Sequence, residues 1–165
     1  MALNNGDRMA FIPWGITKNL EYSVIQFLRD AATADGLTLQ FRAEHVPDEN
    51  WALPVVQVYY FSVVPGRLEI GSNTRFDTYI IMVDIRSDSE TPAVDISDWI
   101  QKVLNDGCPF YEFSPNPSSP DVMLQTQKGN CLMDVFTSLP VNLGDSVDLY
   151  DKYRHRLQLK FWITN

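Results

Sequence analysis

The stretch that decides the fold is YRHRLQLKFWITN, Tyr153 to Asn165. In it Leu157, Leu159, Phe161 and Ile163 alternate with Arg154, Arg156, Gln158, Lys160 and Trp162. Successive side chains of a strand point to opposite faces, so an alternation of period two predicts a half-buried strand inside a sheet. One face belongs to the core. The other carries a cationic ladder and a tryptophan that a partner could use.

Upstream, the pattern predicts strands alternating with two helices. Leu20, Val24, Phe27, Leu28 and Ala31 make one apolar stripe at helical period between about Thr17 and Asp35. Thr17 or Asn19 is placed to cap that helix, and Gly36 to end it. Leu37 to Arg42 alternates and reads as a strand. Val55 to Val64, VVQVYYFSVV, hardly alternates, which predicts a central strand covered on both faces, with Tyr59, Tyr60 and Phe61 in the core. Phe76 to Arg86 reads as a long strand with Tyr79, Ile81, Val83 and Ile85 inward.

Thr91-Pro92 opens the second helix, whose apolar face is Ala93, Ile96, Ile100, Val103 and Leu104 and whose end is Gly107. Phe110 to Phe113 reads as a brief strand. Ser114 to Asp121, SPNPSSPD, reads as an extended flexible or docking loop. Val122 to Gln127 and Leu132 to Phe136 read as two short strands around a Lys128-Gly129-Asn130 hairpin turn. Leu139 to Asp151 reads as a second extended loop, polar and acidic. Residues 1–15 read either as an arm that packs on a neighbour or as a segment folded back on its own domain.

At 165 residues the chain is expected to be one domain, 1–165, and 45 % hydrophobic content suffices for a core. The formal net charge of -8 makes free nucleic acid a poor default partner. Cys108 and Cys131 are the two cysteines, distant in sequence and outside any C-x-x-C pattern, which predicts reduced thiols rather than a disulfide scaffold. The segment MALNNGDRMAFIPWG has no apolar h-region, and no run approaches the ~20 apolar residues of a membrane span. A soluble cytoplasmic protein is expected.

No constellation in the sequence carries catalysis. His45, His155 and the two cysteines lack metal-ligand spacing and read as surface or rim histidines and inert thiols. Asp48, Glu49, Glu69 and Asp84 could supply carboxylates to a metal nuclease, but no E-x-K follows on a strand. Neither G-x-S-x-G nor a Gly-rich phosphate loop is present. The expectation is a non-enzymatic protein with no catalytic residue, no metal and no cofactor. Trp51, Trp99 and Trp162 are either interface residues or packed under loops.

The order of these elements, with NLEYSVIQFLRDA (Asn19 to Ala31), LPVVQVYYF (Leu53 to Phe61), RFDTYIIMVDIRSD (Arg75 to Asp88), PFYEF (Pro109 to Phe113) and RHRLQLKFWI (Arg154 to Ile163), resembles the tail-terminator (tail-completion, minor tail U-like) proteins of tailed bacteriophages. The resemblance covers most of the chain from Asn19 onward. It implies an α+β fold, a mixed and mostly antiparallel sheet with two helices on one face. It also implies a ring, usually a hexamer, that caps the tail tube, ends its polymerisation and offers a surface to the head.

The partners so implied are further copies of the chain, the tail tube protein, a head–tail connector or neck protein, and the sheath where the tail has one. DNA would only pass through the lumen, where an acidic wall repels phosphate. The implied location is the virion tail or neck, and the host cytoplasm during assembly. On this reading Arg154, Arg156, Lys160 and Trp162 are the candidate subunit contacts, with Arg75 and Arg86 as further candidates. The alternatives are a head–tail joining (stopper) protein and a small metal-dependent phage nuclease.

Overall fold

The strand 154–164 lies in the middle of the sheet, not at its edge. In a computed structural model, residues 15–43, 52–66, 77–116, 118–141 and 153–164 are described. The N-terminal segment 1–14, Trp51, His45, Arg75 and most of the expected loop 139–151 fall outside them. The elements in chain order are α1 (Ile16–Ala34), β1 (Gln40–Arg42), β2 (Val55–Val64), β3 (Thr78–Arg86), α2 (Glu90–Leu104), β4 (Cys108–Asn116), β5 (Ser119–Val141) and β6 (Arg154–Thr164). The described strands form one mixed sheet in the order β1-β2-β3-β6-β5-β4. Only β1 and β2 run parallel; every other pair is antiparallel. The fold is α+β.

Both helices cover the same face. Leu20, Val24 and Leu28 of α1, and Ile100 and Leu104 of α2, are completely buried against Ile81, Val83 and Ile85 of β3 and Leu157, Leu159 and Phe161 of β6. The two-residue period of β6 thus places its apolar set in the core as its sequence demands. Neither Thr17 nor Asn19 caps α1: the N-cap is Gly15, with no side-chain bond. At the other end Leu37 N–H reaches Ala32 O at 2.8 Å and Gly36 N–H reaches Thr33 O at 3.2 Å. Gly36 sits at φ +70. That is the paired-bond C-cap that favours glycine.

The polar residues of α1 satisfy strand backbone. Ser23 Oγ accepts the N–H of Tyr111 at 2.8 Å, and Asn19 Oδ1 accepts that of Phe113 at 3.2 Å. Glu21 Oε2 accepts the N–H of Tyr60 at 3.2 Å. Asn19, Glu21 and Ser23 are all buried. Tyr111 and Phe113 lie on β4, the last strand of the sheet, so α1 closes an edge that would otherwise be open to further pairing.

The second half of the sequence folds differently from its local signals. No turn forms at Lys128-Gly129-Asn130, because β5 is one strand of 23 residues. Its first part pairs with β4, from Ser119 to Cys131, and its last part with β6, from Asn130 to Val141. The irregularity at Gly129 is absorbed by a register shift at Phe110/Tyr111. Likewise Ser114–Asp121 is not an extended loop: β4 runs to Asn116 and β5 resumes at Ser119. Leu139 to Val141 continue β5 instead of starting a loop. β1 is shorter than the alternation of Leu37 to Arg42 suggests, at three residues. In β2 only the first half is covered on both faces; after the register shift at Tyr60/Ser62, Phe61 is 57 % and Val64 52 % exposed.

Replacing Ser23 by Ala is expected to leave the Tyr111 N–H without its partner and to cost about 1–3 kcal/mol in urea unfolding. Amide exchange should accelerate at Tyr111 and Phe113. An unchanged exchange pattern there would show that α1 does not seal the β4 edge.

Candidate interaction face

The face of β2, β3 and β6 turned away from the helices holds rows fixed by register. Gln57, Asp84 and Arg156 form one row, Val55, Arg86 and Arg154 the next, and Tyr59, Met82 and Gln158 a third. Cross-strand neighbours sit close enough for direct side-chain contact. The expected cationic ladder therefore has an anion beside it. Asp84, with a side chain 1 % exposed, is held by both Arg154 and Arg156. Arg156 donates from Nε to Oδ1 at 2.7 Å and from Nη2 to Oδ2 at 3.0 Å. Arg154 Nη2 donates to Oδ2. Tyr59 OH donates to the same oxygen at 3.0 Å and accepts from Arg156 Nη2 at 3.2 Å.

Burial pushes the Asp84 carboxyl up, but the hydrogen bonds from Arg156 and Arg154, and their charges, outweigh it and hold the group below the ordinary carboxylate value. The same arrangement raises the Arg156 guanidinium, chiefly through its bond to Asp84. Burial, followed by the Asp84 charge, raises Tyr59. The chemistry of this cluster is that of a clamp: an ionised carboxylate bound by two guanidiniums and a neutral phenol, with the Nε of Arg154 buried and outside the hydrogen-bond network. Asp84 is thereby unavailable as a metal ligand, and among the described residues no group of three or more His, Cys, Asp or Glu could hold a metal ion.

Of the sequence-derived candidates, the structure brings Arg154 and Arg156 together on Asp84. Arg86 pairs across from Arg154 and is 2 % exposed. Lys160 and Trp162 continue along the same face of β6. Trp162 Nε1 donates to Thr78 Oγ1 at 2.9 Å, tying the end of β6 to the start of β3. Beside them, on β5, Leu132 stands opposite Trp162 and Leu139 opposite Arg156. Both leucines are close to half exposed. Arg75 lies outside the described residues.

Tyr59, expected in the core, lies on this face, and Asp84, a candidate carboxylate in the sequence, is the anion of a clamp rather than of a metal site. The signal for Asp84 was present: a single acid in TYIIMVDIR on the alternation opposite to the core set. His155, expected at a surface, is instead buried on the helix side, with Nε2 at 3.0 Å from Ser138 Oγ. Burial lowers its pKa, against a weaker raising effect of Asp98. Trp99 is half-buried and donates to Asp35 Oδ2 at 2.8 Å.

No protein-family model matches the sequence, and no curated protein does. Among solved structures, the chain is similar to a chain in the virion of a native gene transfer agent particle. The likeness has a TM-score of 0.51 at 13 % identity, and it covers 91 % of this chain and 96 % of that one. What the two share is the fold. No helix among the described residues is long and apolar enough to cross a membrane.

Asp84→Asn removes the anion and leaves two guanidiniums facing each other, with an expected cost of about 3–5 kcal/mol. The pH dependence follows from the same clamp. A carboxylate whose folded pKa lies below its unfolded value of 3.8 contributes fully above that value and loses the contribution as pH falls through the folded pKa. His155 acts earlier, because its folded pKa lies below the unfolded 6.5, so stability starts to drop below that pH. Urea titrations between pH 7 and 3 should show two declines. His155→Gln should abolish only the upper one, and Asp84→Asn only the lower.

Proposed function

We propose that this protein is a structural component of a tailed-phage-like virion, acting as a tail terminator. In this reading copies of the chain close into a ring, usually a hexamer, that caps the tail tube, stops its growth and presents the other surface to the head. The observation that carries the reading is the likeness, along nearly the whole length of both chains, to a component of a gene transfer agent virion. Its direct partners are then other copies of itself, the tail tube protein and a head–tail connector or neck protein, with a sheath in a contractile tail. DNA is only a passing genome, which a chain of net charge -8 does not hold.

Two surface features support assembly. The edge of β2 pairs with β1 only from Val55 to Gln57, and beyond that point no described strand continues the pairing. That stretch carries the exposed Phe61, Val63 and Val64. A ring requires heterologous contact between two different surfaces of the same subunit. An edge segment and the opposite sheet face, with Trp162, Lys160, Leu132 and Leu139, provide two such surfaces. Arg154 and Arg156 border this contact while committed to Asp84, and Arg86 lies buried in the row beside them.

Light scattering of the purified protein, with negative-stain images of the same sample, tests the reading. Rings, or a monomer that forms rings when tail tubes are added, are the expected result. A monomer indifferent to tubes would falsify it. Rings that dock only to connectors would make the protein a head–tail joining component instead. Trp162→Ala is expected to weaken ring formation by tenfold or more, in line with the energetic weight of interface tryptophans, while thermal unfolding stays cooperative. Arg156→Ala behaves differently, because it opens the Asp84 clamp and lowers monomer stability first.

A further inference from the structure

We propose that Cys108 and Cys131 are a latent cross-strand disulfide, a modification site that stays reduced in a thiol-rich compartment and closes when the protein meets a low-molecular-weight disulfide. The two residues are distant in sequence but are direct Cα partners in the β4–β5 ladder. Antiparallel partners have Cα atoms about 4.5 or 5.5 Å apart. A disulfide spans about 4.4–6.8 Å, so the register alone meets its first requirement. Both cysteines are free thiols and both are buried, Cys131 completely.

Their position in the sheet gives the bond a consequence. β5 changes partner here: Asn130 and Cys131 pair with Pro109 and Cys108 on one side, and with Thr164 and Ile163 of β6 on the other. Toward Ser119, β5 pairs with β4; toward Val141, it pairs with β6. The cysteine pair therefore sits where the β4–β5 hairpin joins the rest of the sheet. Gly107 precedes it at φ +82, and a Cβ there would stand 2.0 Å from the carbonyl oxygen of Cys131. The backbones of the two strands are thus pressed together at this point, and nothing intervenes between the residues that would be linked.

The chemistry balances without further parts. A thiolate of Cys108 attacks one sulfur of the small disulfide, forming a mixed disulfide and expelling one small thiolate. The Cys131 sulfur, on losing its proton, then attacks the Cys108 sulfur and expels the second. Two protein thiols are oxidised, one small disulfide is reduced to two thiols, and the two protons end on the leaving groups. Interaction with the Cys108 thiol, and then burial, raises the Cys131 thiol above its ordinary value. A thiol so raised reacts slowly, so closure is expected to need sustained exposure to the oxidant.

The test uses the native protein as purified under reductant. It is moved into oxidised glutathione at neutral pH, then denatured in N-ethylmaleimide and weighed intact. The expected product carries no alkyl group, is about 2 Da lighter than the dithiol form and remains a single chain on a non-reducing gel. Its Tm should rise by about 5 °C or more, and dithiothreitol should reverse the rise. Cys108→Ala, a small change at the first residue of the edge strand β4, should show no Tm response to the oxidant. Persistence of two alkylatable thiols, a stable mixed disulfide with glutathione, or a closed form that melts below the reduced one would each overturn the proposal. These readouts are made on the soluble chain, so they stand or fall independently of whether it caps a tail.

Discussion

The rest of the structure depends on a single buried carboxylate. Asp84 on β3 is bound by Tyr59 from β2 and by Arg154 and Arg156 from β6, so one side chain joins three strands from distant parts of the sequence. β6 is the last element in the chain and lies between β3 and β5. Until it docks, the sheet is two separate pieces. A register slip of one residue would turn Arg154 and Arg156 toward the helices and send Leu157 and Leu159 outward. The Asp84 clamp makes that slip doubly unfavourable, since it would also leave a buried anion without its cations. Buried ion pairs often add little net stability, because desolvation offsets their attraction. Here the consequence of the clamp is selection of one register over its neighbours.

A second constraint acts through α1. Its apolar stripe packs on the sheet, as many helices do, but its polar residues reach backbone on two strands that lie far apart in the sheet order. Glu21 serves β2, while Asn19 and Ser23 serve β4. The helix thereby closes the β4 edge, and the part of β2 beyond Gln57 keeps its exposed apolar residues. The asymmetry matters for assembly. Of the two ends of the sheet, β4 is bonded at two backbone positions by α1, whereas β2 beyond Gln57 is bonded at Tyr60 and leaves Phe61, Val63 and Val64 as apolar surface for a neighbour.

Much of this was legible in the residues, and the failures share a cause. β3, β6 and the apolar faces of both helices were read correctly because a face that packs against one partner imposes a period on the sequence; the caps were not, since α2 starts at Glu90 after Ser89 and Thr91 lies inside it. β5 was split in two because Lys128-Gly129-Asn130 has the composition of a turn. In the fold that composition marks a register shift and the change of partner from β4 to β6, information that resides in strands tens of residues away. Ser114 to Asp121 failed similarly: Pro115 and Pro120 look like loop residues but lie within the paired strands β4 and β5. For the candidate face, the cations and Trp162 were visible as an alternation. Asp84 stood out as a lone acid in an apolar strand, but its role did not, since its cations are set by the cross-strand register. The same holds for Cys108 and Cys131, whose pairing exists only in the ladder.

The clamp also restricts how the outer face can be used. A cation paired with a buried carboxylate cannot turn to a partner without exposing that carboxylate, and the cost of doing so is the cost of breaking a buried pair. Arg154 and Arg156 are therefore poor sites for direct recognition, although they lie on the face that the alternation singled out. Contact on this face falls to the groups around them: Trp162, the stem of Lys160, and the half-exposed Leu132 and Leu139. A tryptophan with a half-exposed leucine opposite it in the ladder has the composition of an interface centre. The charge cluster fixes the register of β6 against β3, and with it the positions of the aromatic and aliphatic residues that share its face.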